Sequence, residues 1–324
     1  MEFGIGLPTM MAATAGPEIS GWAREAERRR FASLGVLDRI AYGNLDPLVA
    51  LGYAAAVTTR VRLSTTVLIA PVRAQPVALA KQLASLQMLC GGRLVVGLGA
   101  GGRPDDYAVS GLPFGGRGAR MDTVIETLRE VWDGSLRVGG AAVGPLPPAA
   151  PRLFIGGHSD AAMRRAARYA DGWIAGGGSA EPYPARAARL RAAWQVAGRT
   201  DGPALMGLVY FAVGPRAAER AREYLGHAYA GLGPYTKRVI ASAAVGPDGI
   251  RAAVREHAEG GCDELLFFPC AGDLGQLDGL ADILDGLDGL DRLDGLDGLD
   301  GLGRLAGRPE PASGVSVPGA VSPV

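Results

Sequence analysis

Lysine is almost missing from this chain: of 324 residues only Lys81 and Lys237 are lysine, so arginine carries nearly all the positive charge. A barrel isomerase or lyase that needs a lysine base therefore has few positions to draw on. Charge of either sign is not in surplus, since Lys plus Arg and Asp plus Glu both total 33. That balance lacks the basic stripe a nucleic-acid partner would favour. Cysteine is scarce too. Cys90, Cys262 and Cys270 have no zinc-ligand spacing and make no disulfide framework, which suits a reducing compartment. The three histidines, His158, His227 and His257, lie far apart and show no metal spacing. His227 and His257 fall in polar helical stretches and read as surface residues. No Ser-His-Asp or Cys-His arrangement can be drawn, so a hydrolase has no support. No apolar run reaches 18 residues, and the N-terminus, with Glu2 and no basic region, is not a signal peptide. The expectation is a cytoplasmic protein with no membrane or nucleic-acid partner and no metal.

What the chain does have is glycine, 50 residues of it, and a hydrophobic content of 48%. The stretch from Arg152 to Trp173 is the most informative. Leu153, Phe154 and Ile155 form a short apolar run that stops at Gly156-Gly157. Ser159 or Asp160 can then cap a helix whose apolar face is Met163, Ala166, Ala167 and Ala170. Two glycines before a helix N-terminus let backbone N–H groups converge, and the helix dipole adds partial positive charge there. The point suits a phosphate, with His158 placed to donate to it. A plain turn with no ligand is the competing reading.

Around this unit the chain alternates strand and helix. Strands are expected at Phe3–Leu7, Leu34–Asp38, Val61–Ile69, Arg93–Leu98, Leu153–Ile155, Gly172–Ala175, Leu205–Val213 and Glu264–Phe268. Helices are expected between them, among them Glu18–Ser33, Ala119–Trp132, Asp248–Glu259 and Leu274–Leu284. Eight strands in about 285 residues, with few hairpin signals, have the order and length of a (β/α)₈ TIM barrel, an α/β fold. From Asp285 the chain repeats Leu-Asp-Gly every three residues, a period that fits neither helix nor strand. Residues 1–290 therefore read as the barrel and 291–324 as a disordered, low-complexity tail. A calcium-binding repeat would carry more acidic ligands per unit.

In a barrel, function sits where the strands end at their C-terminal side. Those ends are rich in glycine and small residues, which leaves room for a flat ligand. One ionisable pair, Asp38-Arg39, points to the mouth, with a structural ion pair as the alternative. Gly97 to Gly102 matches G-x-G-x-x-G after a strand. Pro104 and Asp105-Asp106 follow, no helix is expected before about Arg117, and the acid expected about 20 residues on is missing. These glycines read instead as a strand end that can approach a ring.

Taken in order, FGIGLP, LGYAAAVTTRVRLSTTVLIAP, GGRLVVGLGAGG, RMDTVIETLREVW and PRLFIGGHSDAAMRRAARYADGWI resemble the bacterial luciferase-like superfamily of flavin-dependent oxidoreductases and monooxygenases. The resemblance covers Met1 to Leu284. It implies a TIM barrel that binds FMN or the deazaflavin coenzyme F-420 at its mouth. It implies a non-prolyl cis peptide at Thr66-Val67, under the ring, and an approach to the ring by Gly99 and Ala100. It gives the phosphate to Gly157, His158 and Ser159, with Gly156 as a further cofactor-binding residue and Arg120 as a further phosphate candidate. Many relatives place a histidine after the acid that ends strand two, where this chain has Arg39, which cannot act as a base. Asp38 and Arg39 are the catalytic candidates, as polar contacts to the ring or to a substrate carboxylate. The excursion from Ser135 to Ala150 holds no aromatic residue and offers little stacking surface.

The expected activity is a monooxygenase that uses reduced FMN and O₂ on a small organic substrate. A separate reductase would supply the reduced flavin, and a homodimer is a possible assembly. Hydride transfer with F-420 and a catalytically silent flavin-binding protein are the rivals.

Overall fold

The computed structural model describes residues 1–11, 14–73 and 75–291. Eight parallel strands close on themselves: β1 (Glu2–Gly6), β2 (Ser33–Val36), β3 (Arg62–Ile69), β4 (Leu94–Gly99), β5 (Arg152–Gly156), β6 (Gly172–Ala175), β7 (Ala204–Ala212) and β8 (Glu264–Pro269). Each pairs with the next, and β8 returns to β1, where Phe3 lies opposite Leu265. This is the expected (β/α)₈ barrel. Eleven helices accompany the strands among the described residues: α1 (Gly16–Arg28), α2 (Pro47–Ala55), α3 (Pro76–Leu89), α4 (Pro104–Val109), α5 (Arg117–Trp132), α6 (Asp160–Tyr169), α7 (Tyr183–Val196), α8 (Ala217–Ala228), α9 (Pro234–Ala241), α10 (Gly246–Glu259) and α11 (Leu274–Asp291).

The strands show why they form a closed sheet. Side chains alternate in direction. Phe154, Ile174, Leu266 and Phe268 point into the barrel, while Leu153, Ile155, Trp173, Leu265 and Phe267 face the helices. Both faces are buried, so the strands are apolar runs with little polar interruption. Phe268 fills the barrel because Gly6 has no side chain: a Cβ there would sit 2.3 Å from the Phe268 ring.

Glu27, at the end of α1, fixes the entry to β3. Its carboxylate accepts from the N–H groups of Thr59, Arg60 and Val61 and from the Thr59 hydroxyl. Burial alone would push this carboxyl up, but the donors from Arg60 and Thr59 hold it at about 2. Because the folded value lies below the unfolded one, the contribution is complete above the unfolded value and is lost as pH falls toward 2. We expect Glu27→Ala to cost about 2 kcal/mol at pH 7 by urea denaturation, and much less at pH 2.5.

Several expectations need correction. The loop after β4 contains a helix, α4, that starts at Pro104; the proline occupies the first helical turn, where its missing N–H costs nothing. The helix α9 and a two-residue strand, Ala244–Val245, which pairs with β7, were not anticipated. The excursion contains an antiparallel hairpin, Arg137–Val138 with Ala141–Ala142. The last helix runs on to Asp291 rather than stopping at Leu284, with Leu277, Leu280, Ala281 and Leu284 buried against the barrel. The expected tail, apart from its first residue, lies outside the described residues. His257 is not a surface residue: it is 5% exposed, and its ring packs 4.3 Å from that of Tyr183. Gly207 makes the space, since a Cβ there would meet the imidazole at 2.4 Å. No helix among the described residues is long and apolar enough to cross a membrane.

Candidate active site

A cavity of about 620 Å³ opens at the C-terminal mouth of the barrel. Its volume suits a small organic ligand or cofactor. Its floor is built from strand ends: Thr66 and Val67 of β3, Gly99 at the end of β4 with Ala100 after it, and Gly156 of β5. The Thr66–Val67 peptide is cis, and the β3–β4 register shifts between Thr65 and Leu68. Gly99 and Gly156 have a shared reason: a Cβ on either would strike the Val67 side chain, at 2.5 and 2.8 Å. Two of the strand ends in the floor are therefore glycine, packed closely around the Val67 side chain.

One end of the cavity is the turn Gly157-His158-Ser159. Gly157 has φ +127°, a conformation that L side chains rarely adopt. Ser159 is the N-cap of α6, and its Oγ accepts from the Ala162 N–H at 3.2 Å. The first N–H groups of a helix have no intrahelical acceptor, so those of Asp160 and Ala161 remain for an incoming anion. Asp160 is itself acidic, but its carboxylate is paired with Arg189. Burial and the Arg186 charge push His158 down to about 4, so its imidazole is neutral.

Two arginines at this end carried no sequence signal. Arg165 on α6 is paired with Asp122, 2.6 Å away. Arg117, at the start of α5, lies over the Phe114 ring at 3.9 Å and has no carboxylate within 4.0 Å among the described residues. Arg120 is placed elsewhere. It does not line the cavity; its guanidinium donates to Gly115 O at 3.0 Å and to Pro113 O, and stands over the Tyr107 ring.

Asp38 and Arg39 both line the cavity but do not pair with each other. Asp38 accepts from the Ile69 N–H at 2.9 Å and from Arg73 at 3.0 Å, so both its oxygens are engaged in holding the end of β3. Burial raises the Asp38 carboxyl, and Arg73 and the Ile69 N–H act against it. Arg39 donates to Asp106 at 2.7 Å and to Asp105 at 3.0 Å. Asp106, buried in α4, also accepts from the N–H groups of Ile40 and Ala41. The segment after β2 is thus tied to α4, while Nη1 of Arg39 has no partner among the described residues.

The roof comes from the connection between α8 and α9 and the first turn of α9, where Tyr229, Leu232 and Tyr235 line the cavity. The Tyr229 and Tyr235 rings are 5.8 Å apart. Tyr229 is hydrogen-bonded at 2.7 Å to Tyr210, and Tyr235 donates to Gly177 O at 3.2 Å. Burial raises both phenols, so they stay protonated. The aromatic surface missing from the Ser135–Ala150 excursion is supplied here. Of the expected site residues, the fold brings together Asp38, Arg39, Thr66, Val67, Gly99, Ala100, Gly156, Gly157, His158 and Ser159. No group of three or more metal-ligating side chains is assembled among the described residues.

Comparison with known proteins agrees with this architecture. An uncharacterized protein of Mycobacterium tuberculosis is 34% identical over 209 residues, 55% of this chain and 72% of that one. An F-420-dependent glucose-6-phosphate dehydrogenase of Nakamurella multipartita is 30% identical over 50% of this chain and 53% of its own length. Among solved structures, an F-420-dependent secondary alcohol dehydrogenase matches with a TM-score of 0.74 and 17% identity, over 89% of this chain and 99% of that one. The EDTA monooxygenase of Chelativorans sp. BNC1 matches with a TM-score of 0.65 and 16% identity, over 89% and 94%. At these identities the two structures speak for the fold alone. The family model for luciferase-like monooxygenase matches residues 1–261, and the chain belongs to that family.

Proposed function

We propose that this protein is an oxidoreductase that holds reduced FMN at the barrel mouth and uses O₂ to oxidise a small organic substrate. The observation that carries the reading is the sharing of one cavity by a floor of small residues and an anion-binding turn at the start of α6. The floor fits a fused ring and the turn fits its phosphate. When bound, the flavin supplies the electrons and the site of oxygen activation.

The chain's own residues bind, orient and exclude water. Val67, Gly99 and Ala100 support one face of the ring. Gly157, His158 and Ser159 take the phosphate together with Arg117. Arg39 turns its free Nη1 toward the ring edge or a substrate carboxylate, and Asp38 acts by holding β3. Tyr229, Leu232 and Tyr235 cover the substrate and keep water out. A separate flavin reductase is the proposed partner. We propose a homodimer as the assembly, with exposed Val49, Tyr53 and Leu89 as available apolar surface.

Of the arginines lining the cavity, Arg39, Arg103 and Arg165 each have a carboxylate partner, leaving Arg117 with the turn for one phosphate, which FMN and F-420 both carry. The second reading, hydride transfer with F-420, is supported by the F-420-dependent relative above. Absorbance and mass of the cofactor that co-purifies, followed by turnover assays, separate the two. Oxygen uptake with reduced FMN supports the first, and bleaching of the deazaflavin band supports the second. A protein inert with both would leave a silent flavin-binding protein.

A further inference from the structure

Arg186, on α7, is 6% exposed, yet no carboxylate lies within 4.0 Å of its guanidinium among the described residues. Its Nη1 donates to Gly176 O at 3.0 Å and stands 3.3 Å from His158 Nδ1, while its Nε meets no acceptor. Keeping a charged group buried with so little compensation is costly, so what it does contact matters.

An arginine donates and never accepts. At the His158 contact Nδ1 must therefore be the acceptor, which puts the ring proton on Nε2. Protonating both nitrogens would set two donors against each other. The neutral state of His158 agrees with this geometry. His158 is among the residues that line the main cavity, next to Gly157 and Ser159, and its Nε2 lies 3.7 Å from where a Cβ on Gly176 would stand. It does not line the smaller cavity of about 190 Å³, where Glu181 and Glu256 lie. Arg186 thus lines the smaller cavity and reaches, through Nη1, a residue that lines the main one.

We propose that Arg186 is a positioning residue that holds His158 as the Nε2–H tautomer, so that His158 presents a fixed donor to the anionic tail of the cofactor beside the N-terminus of α6. The proposal rests on the functional reading above for the identity of that anion. The tautomer itself does not.

Nitrogen-15 NMR of histidine-labelled, cofactor-free protein at neutral pH tests the tautomer, with His158→Gln used to assign the resonance. The expected spectrum has a protonated Nε2 and an unprotonated Nδ1. Arg186→Lys, which can still only donate, should preserve it, and Arg186→Met should give mixed tautomers. Binding of FMN and riboflavin tests the donor. His158→Gln, whose amide N–H can stand in for Nε2–H, should keep the preference for FMN within about threefold. His158→Asn, whose amide replaces Nδ1, should lose about tenfold of it. A protonated Nδ1 in the wild type, an unchanged spectrum in Arg186→Met, or Asn outperforming Gln would overturn the proposal. Wild-type protein that bound neither FMN nor F-420 would overturn the functional reading and the donor's role. The spectrum would still decide the tautomer separately.

Discussion

Arg117→Glu should weaken FMN binding about a hundredfold at low salt and change riboflavin binding by less than about threefold. The reason is local charge. Arg165 is already neutralised by Asp122 and Asp160 by Arg189, so Arg117 is the cation at this end without a carboxylate partner among the described residues. Replacing it with a carboxylate turns an attraction into a repulsion of the phosphate. Two unit charges 4 Å apart near a surface interact by about 4 kcal/mol, more than a hundredfold change requires. Riboflavin has the same ring and no phosphate, so it reports damage to the floor. The effect should shrink as salt is raised, because Arg117 is only half-buried. Equal losses for both ligands would mean that Arg117 acts through folding.

Gly97→Ala should be the most damaging single methyl in the barrel, with an expected loss of about 3 kcal/mol in denaturant unfolding. A Cβ at Gly97 would sit 2.2 Å from the Thr65 carbonyl oxygen and 2.6 Å from Ile174 Cδ1. The first is backbone and cannot rotate away. Thr65 is also locked in place, since its hydroxyl donates to Gly97 O and accepts from Gly97 N–H, both at 2.9 Å. The methyl group must therefore push β3 and β4 apart, just before the strand end that carries Thr66 and Val67. Gly102→Ala is the control. Nothing lies within 4 Å of its Cβ, and stability should change by less than about 0.5 kcal/mol. A wild-type midpoint for Gly97→Ala would show that the strands are not packed as described.

Most of this architecture was legible because the strands are buried on both faces. A run such as Arg62–Ile69 has no helical period and reads as strand without further information. The turn Gly156-Gly157 and a cap at Ser159 or Asp160 were legible for a similar reason, as local chemistry fixes them, and the structure assigns the cap to Ser159. The failures have physical causes. Proline at 104 looks like a break when read along the chain, but it opens a helix. Asp38 and Arg39 are neighbours in sequence, yet their partners, Arg73 and Asp106, come from elements that only the closed barrel brings near. Tyr229 and Tyr235 reach the mouth because α8 and α9 fold back over it, and no local pattern marks such a return. Arg117 stands out only once the carboxylates around the other arginines have been placed.

The central claim is that one cavity grips a ring by its small-residue floor and a phosphate by the start of α6. Its most direct test is a parallel titration of the purified protein with reduced FMN, F-420, and the dephosphorylated form of each. The account predicts micromolar binding of at least one intact cofactor and a loss of about a hundredfold when its phosphate is removed. Equal affinity for the dephosphorylated form, or no binding of any of the four at high micromolar concentration, would contradict it.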